Sequence, residues 1–171
     1  MCTTKPRPRS PAGLQKYAKH GFFPYTPATN LLFGLREAIS MLVDEEGLDA
    51  VFKRHQRHAA ATRAAVNAWG LELVGANPNE YSGSSTAIFL PNGFDEAAFR
   101  NVVLEKFNLS LGSGLGKLKG RAFRIGHLGD FNHLMLCGTL CGVAMGLSQF
   151  GGPVKKGGVD AAMQYLGGAR S

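Results

Sequence analysis

The amino-acid sequence predicts an α+β domain in which helices cover a small, mainly antiparallel sheet. With 171 residues, 44% of them hydrophobic and 18% charged, the chain is long and apolar enough for a single domain with a sizeable core. Its apolar periodicities follow the order helix, helix, strand, strand, helix, strand, strand, helix. Turn-rich stretches that contain glycine and proline separate the short strands. This order is typical of an α+β arrangement.

The first predicted helix occupies the stretch before Gly47. Large apolar residues recur at helical spacing from Leu31 onward. Thr26 and Pro27 precede them, and we expect the threonine hydroxyl to cap free amides while the proline occupies the first helical position. Unpaired amides at a helix start attract anions, so Thr26 with Tyr25 could hold a phosphate, although many helix starts hold nothing.

A second helix is predicted from Leu48 to about Ala68. Its polar side carries a basic cluster that we interpret as a solvated face: Lys53, Arg54 and Arg57. His55 falls on the apolar side and is expected to be a hydrogen-bonded core histidine. His55 and His58 lack the one-turn spacing and the third ligand that a metal site requires, so no metal is assigned.

The remaining elements are shorter. Asp95 is expected to cap a helix, and Asp130 or Asn132 is expected to start another. The ranges are Leu71–Val74, Ser85–Leu90, Asn108–Leu111 and Ala122–Ile125 for strands, and Leu134 to about Phe150 and Val159–Leu166 for helices. Gly138, Gly142 and Gly146 would let a neighbouring element approach the longer of these two helices closely.

The most informative stretch runs from Leu111 to Asn132. A glycine-dense loop, in which the backbone could approach a ligand closely, leads into a short apolar strand that contains Arg124. A guanidinium in such apolar company needs an anionic partner, and its planar fork suits a carboxylate. That carboxylate could belong to a substrate or to an internal Asp or Glu. The loop lacks the glycine and Ser/Thr positions of a nucleotide-binding P-loop.

The charge and cysteine content restrict the partners and the compartment. The net charge of +7 favours anionic partners, and residues 1–20 form a basic arm. A nucleic-acid role for this arm and for Lys53 to Arg57 is a distant alternative, because residues 1–11 of the arm contain no aromatic residue. Three cysteines without disulfide or metal spacing indicate a reducing, cytoplasmic location. No secretory signal or membrane span is expected.

Three stretches together resemble one enzyme family. Residues Phe23–Ala38, Arg54–Val66 and Leu111–Asn132 closely resemble the C-terminal part of serine-glyoxylate and alanine-glyoxylate aminotransferases. These are class V, fold-type I enzymes that use pyridoxal phosphate. The resemblance extends over roughly residues 21–166, so we assign residues 21–171 to the small C-terminal domain of that fold.

The resemblance implies roles for individual residues. Arg124 corresponds to the arginine that grips the α-carboxylate of the amino-acid or keto-acid substrate. Thr26 corresponds to a threonine that contacts the cofactor phosphate of the partner subunit across a homodimer. Some relatives supply a tyrosine at the position of Phe23, and here Tyr25 is the possible substitute.

The resemblance also implies that a catalytic group is missing. Transamination with pyridoxal phosphate needs a lysine that forms the Schiff base. In the family this lysine lies on a large domain upstream, whereas Lys16, Lys19, Lys117 and Lys119 lie in the wrong places here. We therefore expect a fragment, inactive alone, of an enzyme that moves an amino group from serine or alanine to glyoxylate. The alternative is a non-catalytic carboxylate-binding or dimerisation module of the same fold.

Overall fold

The structure of the chain is a computed structural model that describes residues 15, 19, 21, 23, 26–151 and 154–168. The chain divides into two compact units, with the boundary after Leu48. The predicted basic arm, apart from residues 15 and 19, lies outside the described residues. Tyr25 also lies outside them.

Among the described residues of the first unit is a helix with an irregular end. Helix α1 spans Thr29–Ser40 and continues as a π-helical turn, Met41–Glu46. It ends at Gly47 as predicted, where the backbone adopts the positive φ of 80° that favours glycine.

The predicted start of α1 was wrong by two residues. Ala28 is the N-cap and no side chain caps the helix. The Ala28 carbonyl instead accepts the Leu31 and Leu32 amides at 3.0 and 3.1 Å. The first turn is therefore closed by backbone groups alone, and the exposed Thr26 precedes the cap without bonding to it.

The second unit is an α+β fold, as predicted. Within its described residues, three strands form one antiparallel sheet in the order β1-β3-β2, and short 3₁₀ turns occupy Pro78–Glu80 and Gly116–Leu118. The elements in chain order are α2 (Leu48–Trp69), β1 (Ser85–Phe89), α3 (Glu96–Phe107), β2 (Gly112–Ser113), β3 (Ala122–Gly126), α4 (His133–Gln149) and α5 (Gly158–Gly168).

Two of the four predicted strands require correction. The segment at residues 71–74 runs beside β1 but forms only one bridge, between Leu73 and Ile88, instead of a regular strand. The strand predicted for residues 108–111 begins later, at Gly112. Asn108 ends α3 in the left-handed conformation, with φ of 51°, and its amide bonds back to the Leu104 carbonyl. Asparagine tolerates that conformation, so it stops the helix before the chain can become extended.

The helices cover one face of the sheet. Ile88, Phe123 and Ile125 point into the core and are fully buried. The ring of Phe99 on α3 packs on Phe123 with a centroid distance of 5.0 Å. Side chains alternate along a strand, so Arg124 points to the opposite face.

Both predicted helix caps and most of the predicted glycine ridge are confirmed. Asp95 accepts two amides at the start of α3, and Asn132, one of the two candidates, caps α4. A Cβ on Gly142 would lie 2.7 Å from Leu109, and one on Gly146 would lie 2.4 Å from Val103. Because Gly142 and Gly146 have no side chain, α3 and the segment after it can approach α4 closely. Gly138 faces open space.

Candidate functional site

Arg124 occupies the middle of the central strand. β3 pairs with β1 on one side and with β2 on the other, and Arg124 lies directly between Ala87 and Gly112. This cross-strand row lies on the face opposite the helices. The strand around Arg124 is the one that its apolar neighbours predicted.

Among the described residues, the Arg124 guanidinium has a neutral hydrogen-bond partner only. Its Nε donates a hydrogen bond to the Ser113 carbonyl oxygen at 2.9 Å. Within the described part of the chain, no Asp or Glu carboxylate forms an ion pair with Arg124. The internal salt bridge that residue type alone allowed is therefore absent from this part. A half-buried cation held by one carbonyl favours an anion at its remaining donors.

The space that Arg124 uses is provided by Gly112. A Cβ placed on Gly112 would lie 3.3 Å from both the Cβ and the Nε of Arg124, and 3.5 Å from its Nη2. The arginine side chain thus lies across β2 in contact with its backbone. Another residue at position 112 would occupy part of that space.

The glycine loop packs against itself. A Cβ on Gly114 would lie 2.2 Å from the Leu118 carbonyl oxygen and 2.8 Å from that of Ala122. At this position, absence of a side chain is needed for closure of the loop itself. The close approach to a ligand that the sequence suggested is not what Gly114 provides in this structure.

The loop that follows β3 is held by the first turns of α2. Arg54 Nη1 donates to the carbonyl oxygens of Gly129 and Phe131, at 2.7 and 3.3 Å. The Gly129 amide donates to His55 Nε2 at 3.1 Å, so His55 carries its proton on Nδ1, which donates to the Val51 carbonyl at 2.8 Å. The loop beside the arginine strand is therefore anchored by side chains from a distant helix.

These contacts correct one prediction and confirm another. Arg54 was interpreted as part of a solvated face, and so was Arg57, which donates to the Leu166 carbonyl. Both side chains are only half-exposed because they reach backbone acceptors on segments that pack beside α2. Lys53 is exposed as expected. His55 is a buried, hydrogen-bonded histidine, as predicted.

Two further histidines lie in the core near this loop. From the sequence, His58 was considered only as a metal ligand, and His127 was assigned no role. His127 is fully buried, and its Nε2 pairs with the Thr86 hydroxyl at 3.0 Å. His58 is also fully buried, and its two ring nitrogens have no hydrogen-bond partner in the described part of the chain. Its ring instead contacts those of Phe131 and His133 edge-on. The sequence signal that could have predicted the burial of His58 is its spacing of four residues from Thr62, which lies on the buried side of α2.

Burial is the main reason that both histidines resist protonation. Loss of solvation, with smaller contributions from His133, Arg54, His127 and His55, lowers the pKa of His58 from 6.5 to about 4. Loss of solvation is also the main cause that lowers the pKa of His127 to about 4. Hydrogen bonding with the backbone of Gly83 and of His127 itself opposes this shift, while repulsion from Arg63 and His55 adds to it. Both rings are therefore neutral at physiological pH.

The other predicted site residue belongs to the first unit. Thr26 is exposed and makes no hydrogen bond with another described residue. Tyr25 lies outside the described residues. Among those that are described, no three His, Cys, Asp or Glu side chains form a group that could hold a metal ion.

The comparisons with known proteins place these residues in a family. A scan against protein-family models found no match. The chain is 47% identical over 147 residues, or 85% of its length, to the serine-glyoxylate aminotransferase of Hyphomicrobium methylovorum. The chain belongs to the serine-glyoxylate and alanine-glyoxylate aminotransferase family. It is also 41% identical over 150 residues to the L-aspartate-glyoxylate aminotransferase of Paracoccus denitrificans.

A solved structure supports the same assignment for the fold. The pyridoxamine-pyruvate aminotransferase of Mesorhizobium loti matches 86% of the chain with a TM-score of 0.80 and 31% identity. The matched regions of these class V aminotransferases are their C-terminal regions, as the resemblance implied. The chain spans 36% to 38% of the length of these three relatives.

The described residues of this aminotransferase-family chain do not by themselves fit pyridoxal phosphate. That cofactor requires a lysine at the reacting centre. Every described lysine is exposed: Lys19, Lys53, Lys106, Lys117, Lys119, Lys155 and Lys156. We therefore derive no reaction step through the cofactor from these residues.

The length and the hydropathy of the helices decide whether any of them could span a membrane. None of the described helices is both long and apolar enough to cross a bilayer. The apolar stretch of α4, which covers His133–Gln149, is a packed helix whose buried side faces the core.

Proposed function

We propose that this chain is the substrate-carboxylate portion of an aminotransferase that moves an amino group from serine or alanine to glyoxylate. Arg124 carries this proposal. It is half-buried, it points away from the core, and its guanidinium meets a carbonyl but no carboxylate in the described part of the chain. A substrate carboxylate would supply the missing counter-charge.

The chemistry of amino transfer explains why one arginine is sufficient. The donor amino acid loses its α-amine and becomes a keto acid, while glyoxylate gains an amine and becomes glycine. An α-carboxylate is present before and after each exchange. A fixed guanidinium can therefore bind every reactant and product at the same point while their α-carbons react. The role of Arg124 is thus to bind and orient, without gaining or losing a proton.

The identity of the amino donor is proposed from the relatives and not from Arg124. One relative carries serine in its name, whereas another carries aspartate. All such donors share the α-carboxylate, so the arginine does not distinguish between them. We favour serine because the 47% identity to the serine-glyoxylate enzyme exceeds the 41% to the aspartate-glyoxylate enzyme, and we keep alanine because of the sequence resemblance to alanine-glyoxylate aminotransferases.

The proposal requires a partner that supplies the cofactor. We propose that pyridoxal phosphate and its lysine are carried by a large domain in the rest of the family's length, and that this chain alone is inactive. Thr26, with Tyr25, would contact the cofactor phosphate of a partner subunit in a homodimer. The exposed Thr26 hydroxyl and the exposed apolar side chains of α1 support this arrangement, among them Leu31 and Phe33 at 75% and 68% exposure.

A cytoplasmic location is part of the same proposal. The two described cysteines, Cys137 and Cys141, are free thiols, as a reducing compartment would keep them.

A chimeric enzyme would test the proposal. The matched portion of the Hyphomicrobium methylovorum enzyme is replaced by residues 21–168 of this chain, and amino transfer from serine, alanine and aspartate to glyoxylate is measured. We expect serine or alanine to be used. Arg124→Gln should raise KM for glyoxylate by roughly 30-fold to 100-fold, the loss expected for a charge-assisted hydrogen-bonded pair.

The matched control is a second arginine three residues away. Arg121 is exposed, lies over the ring of Phe89, and points to neither the carbonyl nor the glycine that contact Arg124. Arg121→Gln should leave KM unchanged. An Arg124→Gln chimera with unaltered kcat and KM would disprove the assignment of the anchor.

The second candidate is a non-catalytic module that binds a carboxylate or forms a dimer with a full-length relative. The exposed lysines and the exposed apolar side chains of helix α1 favour it. It predicts that the chain, mixed with a full-length relative, elutes with it in size-exclusion chromatography. Separate elution would remove the dimerisation version of this candidate without affecting the first.

A further inference from the structure

We propose that Gly112 is a positioning residue for Arg124, and that the pair makes the arginine present its two terminal nitrogens, end-on, to a carboxylate. This inference rests on the proposed role of Arg124 as the substrate anchor. It adds a residue on a neighbouring strand to that anchor and specifies the edge of the guanidinium that is used.

The glycine is required for space and not for backbone conformation. Gly112 is absent from the residues with positive φ, so any amino acid could adopt its backbone geometry. Its pairing with Arg124 in the sheet instead brings the arginine side chain directly over its Cα. A Cβ there would lie 3.3 Å from Arg124 Nε, a contact that forces the arginine to move by a few tenths of an ångström.

The direction of that movement matters because of a hydrogen bond. Arg124 Nε donates to the Ser113 carbonyl at 2.9 Å, which is a backbone atom on the same strand as the glycine. A side chain at position 112 would push the guanidinium away from β2 and therefore away from its acceptor. The hydrogen bond from Arg124 Nε to the Ser113 carbonyl therefore requires a residue without a side chain at position 112.

The bond also determines how a carboxylate can be bound. A guanidinium offers five N–H groups, and two parallel hydrogen bonds to a carboxylate can use either the edge with Nε or the edge with both Nη atoms. Here the Nε–H is already used. The Nη1–Nη2 edge remains for a substrate, in the orientation that the Ser113 carbonyl imposes.

The first experiment measures the orientation directly in the full chain. Nuclear magnetic resonance of the ¹⁵N-labelled protein should show a slowly exchanging Arg124 Nε–H, which is assigned by its loss in Arg124→Lys. Gly112→Val should speed this exchange at least tenfold, and Gly112→Ala should speed it less. Gly138→Ala is the control, because Gly138 has no atom within 4 Å of its Cβ position, and it should leave the exchange unchanged.

Unchanged exchange in Gly112→Val, with an amide spectrum that shows a folded protein, would overturn the inference. Equal acceleration in Gly112→Val and Gly138→Ala would also overturn it, because the effect would then follow from a general loss of stability.

The second experiment is a double-mutant cycle in the chimera described above. Gly112→Val should raise KM for glyoxylate by roughly tenfold, as expected when a charge-assisted hydrogen bond is lost. In an Arg124→Lys background the same change should have almost no further effect, since its target is gone. Additive effects would show that Gly112 acts independently of the arginine and would overturn the inference.

The cycle separates the two claims. If Arg124→Lys raises KM and Gly112→Val does not, the inference is wrong and the proposed function stands. If Arg124→Gln leaves KM unchanged, the proposed anchor is wrong and the inference fails with it.

Discussion

Acid should destabilise this protein through its buried histidines. His58 and His127 are fully buried, and burial lowers the pKa of each from 6.5 to about 4. Between about pH 6.5 and pH 4 the unfolded chain therefore binds more protons at these two histidines than the native state does. The stability that these groups confer is present above pH 6.5 and is lost as the pH falls from about 6.5 toward about 4.

The size of the loss follows from the two pKa values. At about pH 5 an unfolded histidine is almost fully protonated, whereas one with a pKa of about 4 is roughly one-tenth protonated. With 1.36 kcal/mol for each pKa unit, one histidine lowers the free energy of unfolding by about 2 kcal/mol between about pH 7.5 and pH 5. The charge of His127 contributes to the lowered pKa of His58, so the effects overlap. We expect about 3 kcal/mol for the pair.

Urea unfolding at several pH values measures this loss. A fall of about 3 kcal/mol shifts the urea midpoint by roughly 1 to 2 M for a chain of this size. His58→Phe should raise stability at about pH 7.5 by roughly 1 kcal/mol, because it removes two unpartnered ring nitrogens from the core. The variant should also lose about half of the pH dependence.

One result would refute the reasoning. If His58→Phe kept the full pH dependence between about pH 7.5 and pH 5, protonation of His58 would not drive the acid destabilisation. The m-value must stay constant between variants for this comparison to be valid.

Three further predictions concern packing and capping. A Cβ on Gly158 would lie 2.2 Å from the Trp69 indole nitrogen, so Gly158→Ala should lower the free energy of unfolding in urea by about 2 kcal/mol or more. Gly168→Ala in the same helix is the control and should leave the free energy of unfolding unchanged, because no atom lies within 4 Å of its Cβ position. Asp95→Ala removes both capping bonds of α3 and should lower the free energy of unfolding by about 1 kcal/mol, with Asp95→Ser restoring most of it; no loss would show that the cap is dispensable. Arg54→Ala removes two bonds to loop carbonyls and should speed amide exchange in residues 127–132 while α5 keeps its protection; uniform exchange changes would contradict a local clamp.

Local patterns predicted most of the helices because the residues that start and end them lie next to them in the sequence. Asp95 and Asn132 each cap a helix through amides two or three residues away. The start of α1 was misplaced because its first turn is closed by a backbone carbonyl, which any residue can provide. A regular strand was wrongly predicted at residues 71–74, because apolar residues indicate that a segment is buried but not how many hydrogen bonds it makes with a neighbouring strand.

The site was predictable to the extent that it lies on one strand. Arg124 could be found because its cost of burial is visible from its immediate neighbours. The role of Arg54 could not be predicted from the sequence, because the carbonyl groups that accept its hydrogen bonds lie 75 and 77 residues further along the chain. Gly112 was noticed as part of a glycine-rich loop, but its relation to Arg124 depends on the register of two strands, which local sequence does not specify.

The contact between Trp69 and Gly158 makes the chain its own optical reporter. Trp69 is the only tryptophan in the sequence, and its indole is 2% exposed where the start of α5 covers it. Detachment of the last helix would transfer this indole from a dry contact into water and change its emission, with no label attached. The intrinsic fluorescence of the protein therefore follows the docking of its C-terminal helix.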